Sequence, residues 1–380
     1  LNKAGELMIY ADNAATTKLD EDAFEAMKTY LAIEYANVSQ PYSFAKSAKS
    51  ALKRSREVVA ACIGAEPEEI YFTSGGTESD NWAIKSVLHL KNRNKHIVTS
   101  QIEHHAVLNA CRSLEGFGVS TNFLPVDRDG ELSPKTLEGA LKKDAALVSV
   151  MLANNEIGTI EPIRELSGIA HEHKAVFHTD AVQAVGHVPI NVKKLGVDML
   201  SASAHKFNGM KGSGFLYVRN GIDIHPYLDG GAQERGQRAG TENIASIVAM
   251  ATALRKNCDR MENTIVQLRN LENIFLSRLS QGRLDYVRNG SSNHLPGNIN
   301  ISIRGADGEM LLHRLDLKGI CISTGSACDS VNTQVSHVIK AIQVPAPYAE
   351  GTIRITFGVD NTEKEAVAIA EAILHILESQ

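Results

Sequence analysis

Val197-Asp198-Met199-Leu200-Ser201-Ala202-Ser203-Ala204-His205-Lys206 is an apolar run that ends in small residues and a lysine. Its first four residues read as a short buried strand, and an ammonium at the end of such a run is costly to bury without a partner. A desolvated amine loses basicity and becomes nucleophilic, as imine formation with a carbonyl cofactor requires. Upstream, a second apolar run closes on an acid in His178-Thr179-Asp180-Ala181-Val182-Gln183. A lysine at one strand end and a carboxylate at another suit pyridoxal 5′-phosphate (PLP), whose pyridinium nitrogen needs an acidic partner. Taken alone, a strand-end lysine is more often a snorkelling surface residue, so the reading depends on what else reaches those strand ends.

Around this pair, residues 50 to 220 alternate helical and strand-like segments. Candidate strands are Ile70–Thr73, His96–Ser100, Ala146–Ala153, Ala175–Asp180, Val197–Ala202 and Gly214–Val218. Amphipathic stretches between most of them imply crossovers and an α/β fold with a mainly parallel central sheet flanked by helices. Near Thr241 the texture changes. Ile244, Ile247, Val248, Ala251 and Leu254 fit one helical face, read as a connector, and Ile265 to Leu279 fit another. Strands Asn298–Ile303, Ile320–Ser323 and Thr352–Phe357 then predict a smaller α+β C-terminal domain. Thr362 with Glu365 is a capping box opening a last helix. No repeat or low-complexity linker separates the two, which predicts tight packing.

The 380 residues suffice for a large core and two or three domains. A charged content of 22% and a net charge of −5 give no support for nucleic-acid binding. No apolar stretch nears the roughly 20 residues that span a bilayer, and no secretory pattern opens the chain. Leu1 to Leu7, ahead of Met8, read as an expression scar or a leader. Cysteines 62, 111, 258, 321 and 328 are odd in number and irregular in spacing, which points away from a disulfide framework or metal site and toward a reducing cytoplasm.

Four further segments carry chemistry. Ser74-Gly75-Gly76-Thr77-Glu78 reads either as a plain glycine turn or as a helix N-terminus cradling an anion, without the Gly-Lys-Ser/Thr of a P-loop. His104, in Glu103-His104-His105, could stack on a planar cofactor and shuttle protons, or ligate a metal with His171 and His173. Those two lie two residues apart in a polar helix and read better as surface. Asn154-Asn155 closes an apolar strand, either as a turn cap or facing a ligand crevice. Arg354 sits within an alternating strand; facing inward it suits bidentate capture of a carboxylate, and facing outward it is ordinary surface. Cys328 lies in the small, polar loop Ser323-Thr324-Gly325-Ser326-Ala327-Cys328-Asp329-Ser330, whereas the other four cysteines lie in apolar or amphipathic settings and read as inert.

With these residues assembled, the chain resembles the cysteine desulfurases of the NifS/IscS group, in the class V branch of fold-type I PLP-dependent transferases. FTSGGTESDN, EHHAVL, NNEIGTI, HTDAVQAVG, SAHKFNGMKGSG, ERGQRAGTEN and STGSACDS occur in that family's order, from about Tyr10 to the final helix. The resemblance implies a large PLP-binding domain over 16–255 and a small domain from 8–15 and 256–380, with a cysteine loop similar to the long, mobile type. It implies Lys206 as the cofactor lysine, Asp180 as partner of the ring nitrogen, Gln183 on the ring hydroxyl, and His104 stacked on the ring. Gly76, Thr77, Ser203 and His205 would hold the phosphate, with Thr241 reaching it in the neighbouring subunit of a homodimer. Asn155 and Arg354 would orient the substrate carboxylate, and Cys328 would accept the sulfur of L-cysteine, leaving L-alanine. No metal is implied, and the persulfide would pass to an acceptor such as an iron–sulfur scaffold or to thiolation.

Two departures stand out. Asn37-Val38-Ser39-Gln40-Pro41-Tyr42 has tyrosine where the family often has histidine, which bears on substrate entrance or partner choice. Asp329 follows the cysteine where threonine is common, and a carboxylate there disfavours the thiolate. A selenocysteine lyase, a desulfurase for DNA sulfur modification, or a class V aminotransferase independent of Cys328 are the alternative activities.

Overall fold

A computed structural model describes residues 8–89, 95–141, 145–324 and 335–378. The strands are β1 Ile9–Tyr10, β2 Ile70–Thr73, β3 His96–Ser100, β4 Ser120–Leu124, β5 Leu147–Ser149, β6 Val176–Asp180, β7 Met199–Ser203, β8 Gly214–Val218, β9 Tyr286–Asn289, β10 Asn298–Ile303, β11 Ile320–Cys321 and β12 Thr352–Thr356. Seven form the central sheet in the order β2-β8-β7-β6-β5-β3-β4. From β7 to β4 all pairs are parallel, while β8 runs antiparallel to both β7 and β2. The carboxyl ends of β2, β3, β5, β6 and β7 therefore open on the same edge, where ligands of parallel sheets sit.

Strand alternation decides which core each side chain joins. Phe72, Val98, Val148, Phe177, Leu200 and Phe215 enter one apolar layer. Their neighbours Tyr71, Ile97, Leu147, Val176, Met199 and Leu216 enter the other. Both faces of the sheet are thus covered, as its near-continuous apolar strands require. A separate core surrounds the three-stranded antiparallel sheet β12-β10-β9 and includes Ile299, Ile301, Ile353 and Ile355.

The fold differs from the sequence reading in three places. The two apolar faces after Thr241 belong to one helix, Ile244–Gln281, of 38 residues and about 57 Å. No glycine or proline interrupts it, and Asn243 caps it by accepting from the Ser246 N–H. Ala249 to Leu254 pack on the large core and Leu268 to Leu279 on the small one, so the connector is one continuous helix. Polar edge strand β4 and half-exposed β9 carry too few apolar residues to be seen as strands. The run expected over Ala146–Ala153 pairs as a ladder only at Leu147–Ser149, but Val150 and Leu152 N–H still donate to β6 carbonyls. The Thr362–Glu365 capping box forms reciprocally, at 2.7 and 3.3 Å.

Candidate active site

Loops from five strand ends meet at a cavity of about 340 Å³. Lys206 follows β7 and donates from Nζ to the carbonyls of Ala14 and Ala15, at 2.6 and 2.8 Å. Asp180 ends β6 and is 4% exposed. Its Oδ1 accepts the Val182 N–H at 2.9 Å. Burial raises its carboxyl to about 6, while the Val182 N–H and the Lys206 ammonium pull the other way. Gln183 donates to the Ala14 carbonyl at 2.9 Å and also lines the cavity.

His104 is the N-cap of the helix His105–Ser113, and its Nδ1 accepts the Ala106 N–H at 3.1 Å. That bond assigns the ring proton to Nε2. Burial, then the Lys206 and His105 charges, lower its pKa to about 4, so the imidazole is neutral.

A second cleft of about 390 Å³ shares Gly76, Thr77, Ser203 and His205 with the first cavity. Its floor is the start of the helix Gly76–Lys85, whose N-terminal amides favour an anion. Gly75 has φ 147°, and a Cβ on Gly76 would lie 2.5 Å from Val182 Cγ2. Only glycine permits both the turn and the close approach. Lys211 and Gly212 complete this cleft.

The two adjacent asparagines divide their work. Asn154 is the turn cap: its Oδ1 accepts from the Glu156 and Ile157 N–H at 2.8 and 3.0 Å. Asn155 lines the cavity. Arg354 faces inward from β12, 3% exposed, and reaches the same cavity. It pairs with Asp12 Oδ1 at 2.7 Å and donates to the Asn155 carbonyl at 2.9 Å, while its buried Nε has no partner.

Other residues lie elsewhere. Thr241 is exposed ahead of the long helix and lines neither cleft. Cys328 and Asp329 fall outside the described residues. His171 hydrogen-bonds Asp198 at 2.9 Å and does not line the cavity that His104 lines. Tyr42 is exposed. Burial pushes Cys111 up to about 12, as expected of an inert thiol. Cys62 and Cys258, by contrast, hydrogen-bond each other across two helices, which raises the Cys62 thiol.

Asp80 was not anticipated. It lines the cavity at 1% exposure, four residues after Gly76 and hence on the same helical face. Ligand atoms of Asp80, Asp180 and His104 lie within 4.8 Å of one another. Burial and the Asp180 charge drive Asp80 toward the neutral acid, whereas Asp180 is raised only to about 6. The N-terminal carbonyls of Ala14 and Ala15, and Asp12, were equally unforeseen, because only tertiary folding brings that segment across the strand ends.

The aminotransferase class-V family model matches residues 9–369. A cysteine desulfurase IscS of Dictyoglomus turgidum is 48% identical over 372 residues, covering 97% of this chain and 94% of its own. A solved NifS-like protein superposes with a TM-score of 0.93 at 34% identity, covering 98% of this chain and all of its own. The structure of SspA in complex with cysteine superposes with a TM-score of 0.81 at 34% identity, covering 92% of this chain and 98% of its own. The chain belongs to the class-V aminotransferase family and, within it, to the cysteine desulfurases of the NifS/IscS group. Membership implies an enzyme that works with PLP. Among the described residues, no helix is long and apolar enough to cross a membrane.

Proposed function

We propose that the protein is a PLP-dependent L-cysteine desulfurase that moves the substrate sulfur onto Cys328 and releases L-alanine. The observation that carries this reading is the convergence of Lys206, Asp180, His104 and Gln183 on one cavity that adjoins a glycine-floored anion cleft. PLP fits by shape and charge. Its planar ring suits the larger cavity and its phosphate suits the cleft of Gly76, Thr77, Ser203 and His205. Asp180, raised only to about 6, is ionised at neutral pH and presents negative charge where a protonated pyridine needs it. Lys206 would hold the aldehyde carbon, Gln183 the ring hydroxyl, and His104 one ring face. Thr241 would serve the phosphate of a neighbouring subunit in a homodimer.

Bound PLP supplies an electron sink for the charge left when a substrate α-C–H bond ionises. Lys206 Nζ, lying against the Ala14 and Ala15 carbonyls, would carry that proton, with neutral His104 beside it. Asn155 and Arg354, both lining the cavity, would orient the substrate carboxylate. The Cys328 thiolate attacks the cysteine sulfur; an S–S bond forms as the Cβ–S bond breaks, and Cβ regains a proton. Cysteine and a thiol thus become alanine and a persulfide, with no external oxidant. The SspA complex with cysteine supports that substrate.

The outer sulfur of Cys328 would pass to an acceptor protein in the cytoplasm, such as an iron–sulfur scaffold, or to thiolation. Two apolar cores favour residues 16–255 as the cofactor domain and 8–15 with 256–380 as the smaller one, although Leu295, Val338, Ile339 and Ile342 pack on the larger core. Incubation with L-cysteine and PLP should yield alanine and a persulfide on Cys328, and Cys328→Ala should abolish sulfur release while cofactor absorbance persists. Alanine release that is unchanged in Cys328→Ala would overturn the assignment.

A further inference from the structure

Asp80 occupies a place that disfavours an ionised carboxylate. It is 1% exposed, on the first turns of the helix Gly76–Lys85, and its Oδ1 has no hydrogen-bond partner. No lysine or arginine pairs with it among the described residues. From β6, His178 Nε2 stands 3.7 Å from that oxygen, too far for a good hydrogen bond. Its ring nitrogens instead engage Ser149 Oγ at 2.8 Å and Ser201 Oγ at 2.9 Å. Burial lowers His178 to about 3, so it brings no positive charge.

The remaining neighbours are acidic or neutral. Asp180, also from β6, repels a negative charge on Asp80, as an ionised Glu103 after β3 would. Glu103 is itself held up to about 8 by burial and accepts from Ser100 Oγ and the Met151 N–H. His104, the third group in reach, is neutral. Ser201 of β7 supplies a hydrogen bond to the Asp80 side chain. Without bound cofactor, the Lys206 ammonium acts on Asp180, which also accepts the Val182 N–H. One carboxyl of the pair therefore has support for ionising and the other has almost none.

We propose that Asp80 and Asp180 work as one acid–carboxylate pair, in which Asp80 keeps a proton so that Asp180 stays ionised toward the cofactor nitrogen. Two carboxylates this close do not both ionise in a dry site, and their unequal surroundings decide which one gives up its proton. Asp80 touches neither substrate nor reacting atoms in this arrangement. It is a positioning residue that acts through Asp180, and the inference rests on the PLP reading given above.

The test uses the purified holoprotein in three forms: wild type, Asp80→Asn and Asp80→Leu. Infrared difference spectra between wild type and Asp80→Asn at neutral pH should show loss of one neutral carboxylic-acid carbonyl band. This readout is independent of activity and of cofactor. Asparagine keeps a donor without the proton, so Asp80→Asn should bind PLP within about twofold of wild type and keep the pH transition of the cofactor's visible band. Leucine has no donor, so Asp80→Leu should bind PLP roughly tenfold more weakly, with that transition displaced. If Asp80→Leu does not fold, the infrared band and the asparagine variant still decide. The proposal is overturned if no neutral-acid band is lost, or if Asp80→Asn displaces the visible transition as far as Asp180→Asn does. A wild-type protein without any visible cofactor band would sink the PLP reading instead, while the infrared result would still report the state of Asp80.

Discussion

The central and small sheets address the same cavity in opposite manners. The seven-stranded sheet is covered on both faces, so chemistry is available only at its edge, where the loops after β2, β3, β5, β6 and β7 converge. The antiparallel sheet β12-β10-β9 reaches the cavity with one side chain, Arg354, held by Asp12 and the Asn155 carbonyl. On the proposed reading, one region would build the cofactor's surroundings and the other would extend a single charged arm for the substrate. The difference predicts that damage to the first region removes the cofactor or shifts its spectrum, while damage to the second alters substrate affinity alone.

The sharpest break is at the strand ends. Lys206→Ala should lower desulfuration by roughly 10²–10⁴-fold or more and abolish the cofactor's visible band, measured by alanine release and absorbance. Asp180→Asn, which keeps the shape but removes the charge, should cost roughly 10²–10³-fold with cofactor still bound but spectrally shifted.

A pH experiment sharpens the contrast further. His104 is held neutral, with its pKa at about 4 against an ordinary 6.5. The unfolded chain therefore takes up a proton that the folded chain refuses. The stability from a neutral His104 is complete above about pH 6.5 and lost as the pH falls toward 4. In cofactor-free protein, the stability advantage of wild type over His104→Gln should shrink by up to about 3 kcal/mol across that window, read from urea midpoints. An advantage that does not change with pH would show that burial does not govern this imidazole.

Arg354→Ala tests the other region. It should raise the KM for cysteine and lower kcat/KM by about 30-fold, or about 2 kcal/mol, with the cofactor band unmoved. Loss of the band would mean that the small sheet shapes the cofactor site after all. The smallest effect belongs to Thr362→Ala, which removes half of a capping box remote from the cavity. It should cost about 1 kcal/mol of stability in thermal or urea unfolding and leave turnover intact.

How much of this was legible followed from where each residue lies. Lys206 and Asp180 were visible because apolar runs ended on them, and His104 because its histidine pair closely follows the strand ending at Ser100; a strand end is a local pattern. The inward face of Arg354 was left open by sequence, since alternation within one strand does not say which side is buried. Asp80 was missed because a polar residue inside a helix looks like surface unless its i−4 neighbour is known to face a ligand. Ala14, Ala15 and Asp12 leave no signal at all: they act through main-chain carbonyls and a pairing 342 residues distant. The continuous helix Ile244–Gln281 was read as two because its buried stripe changes partner near Leu254, from one core to the other.

Borohydride reduction of the purified protein, followed by peptide mapping, tests the account most directly. The mass of a reduced pyridoxyl phosphate should be found on the Lys206 peptide, in near-stoichiometric amount and absent from Lys206→Ala. An unmodified Lys206 peptide, or the same mass on another lysine, would contradict it.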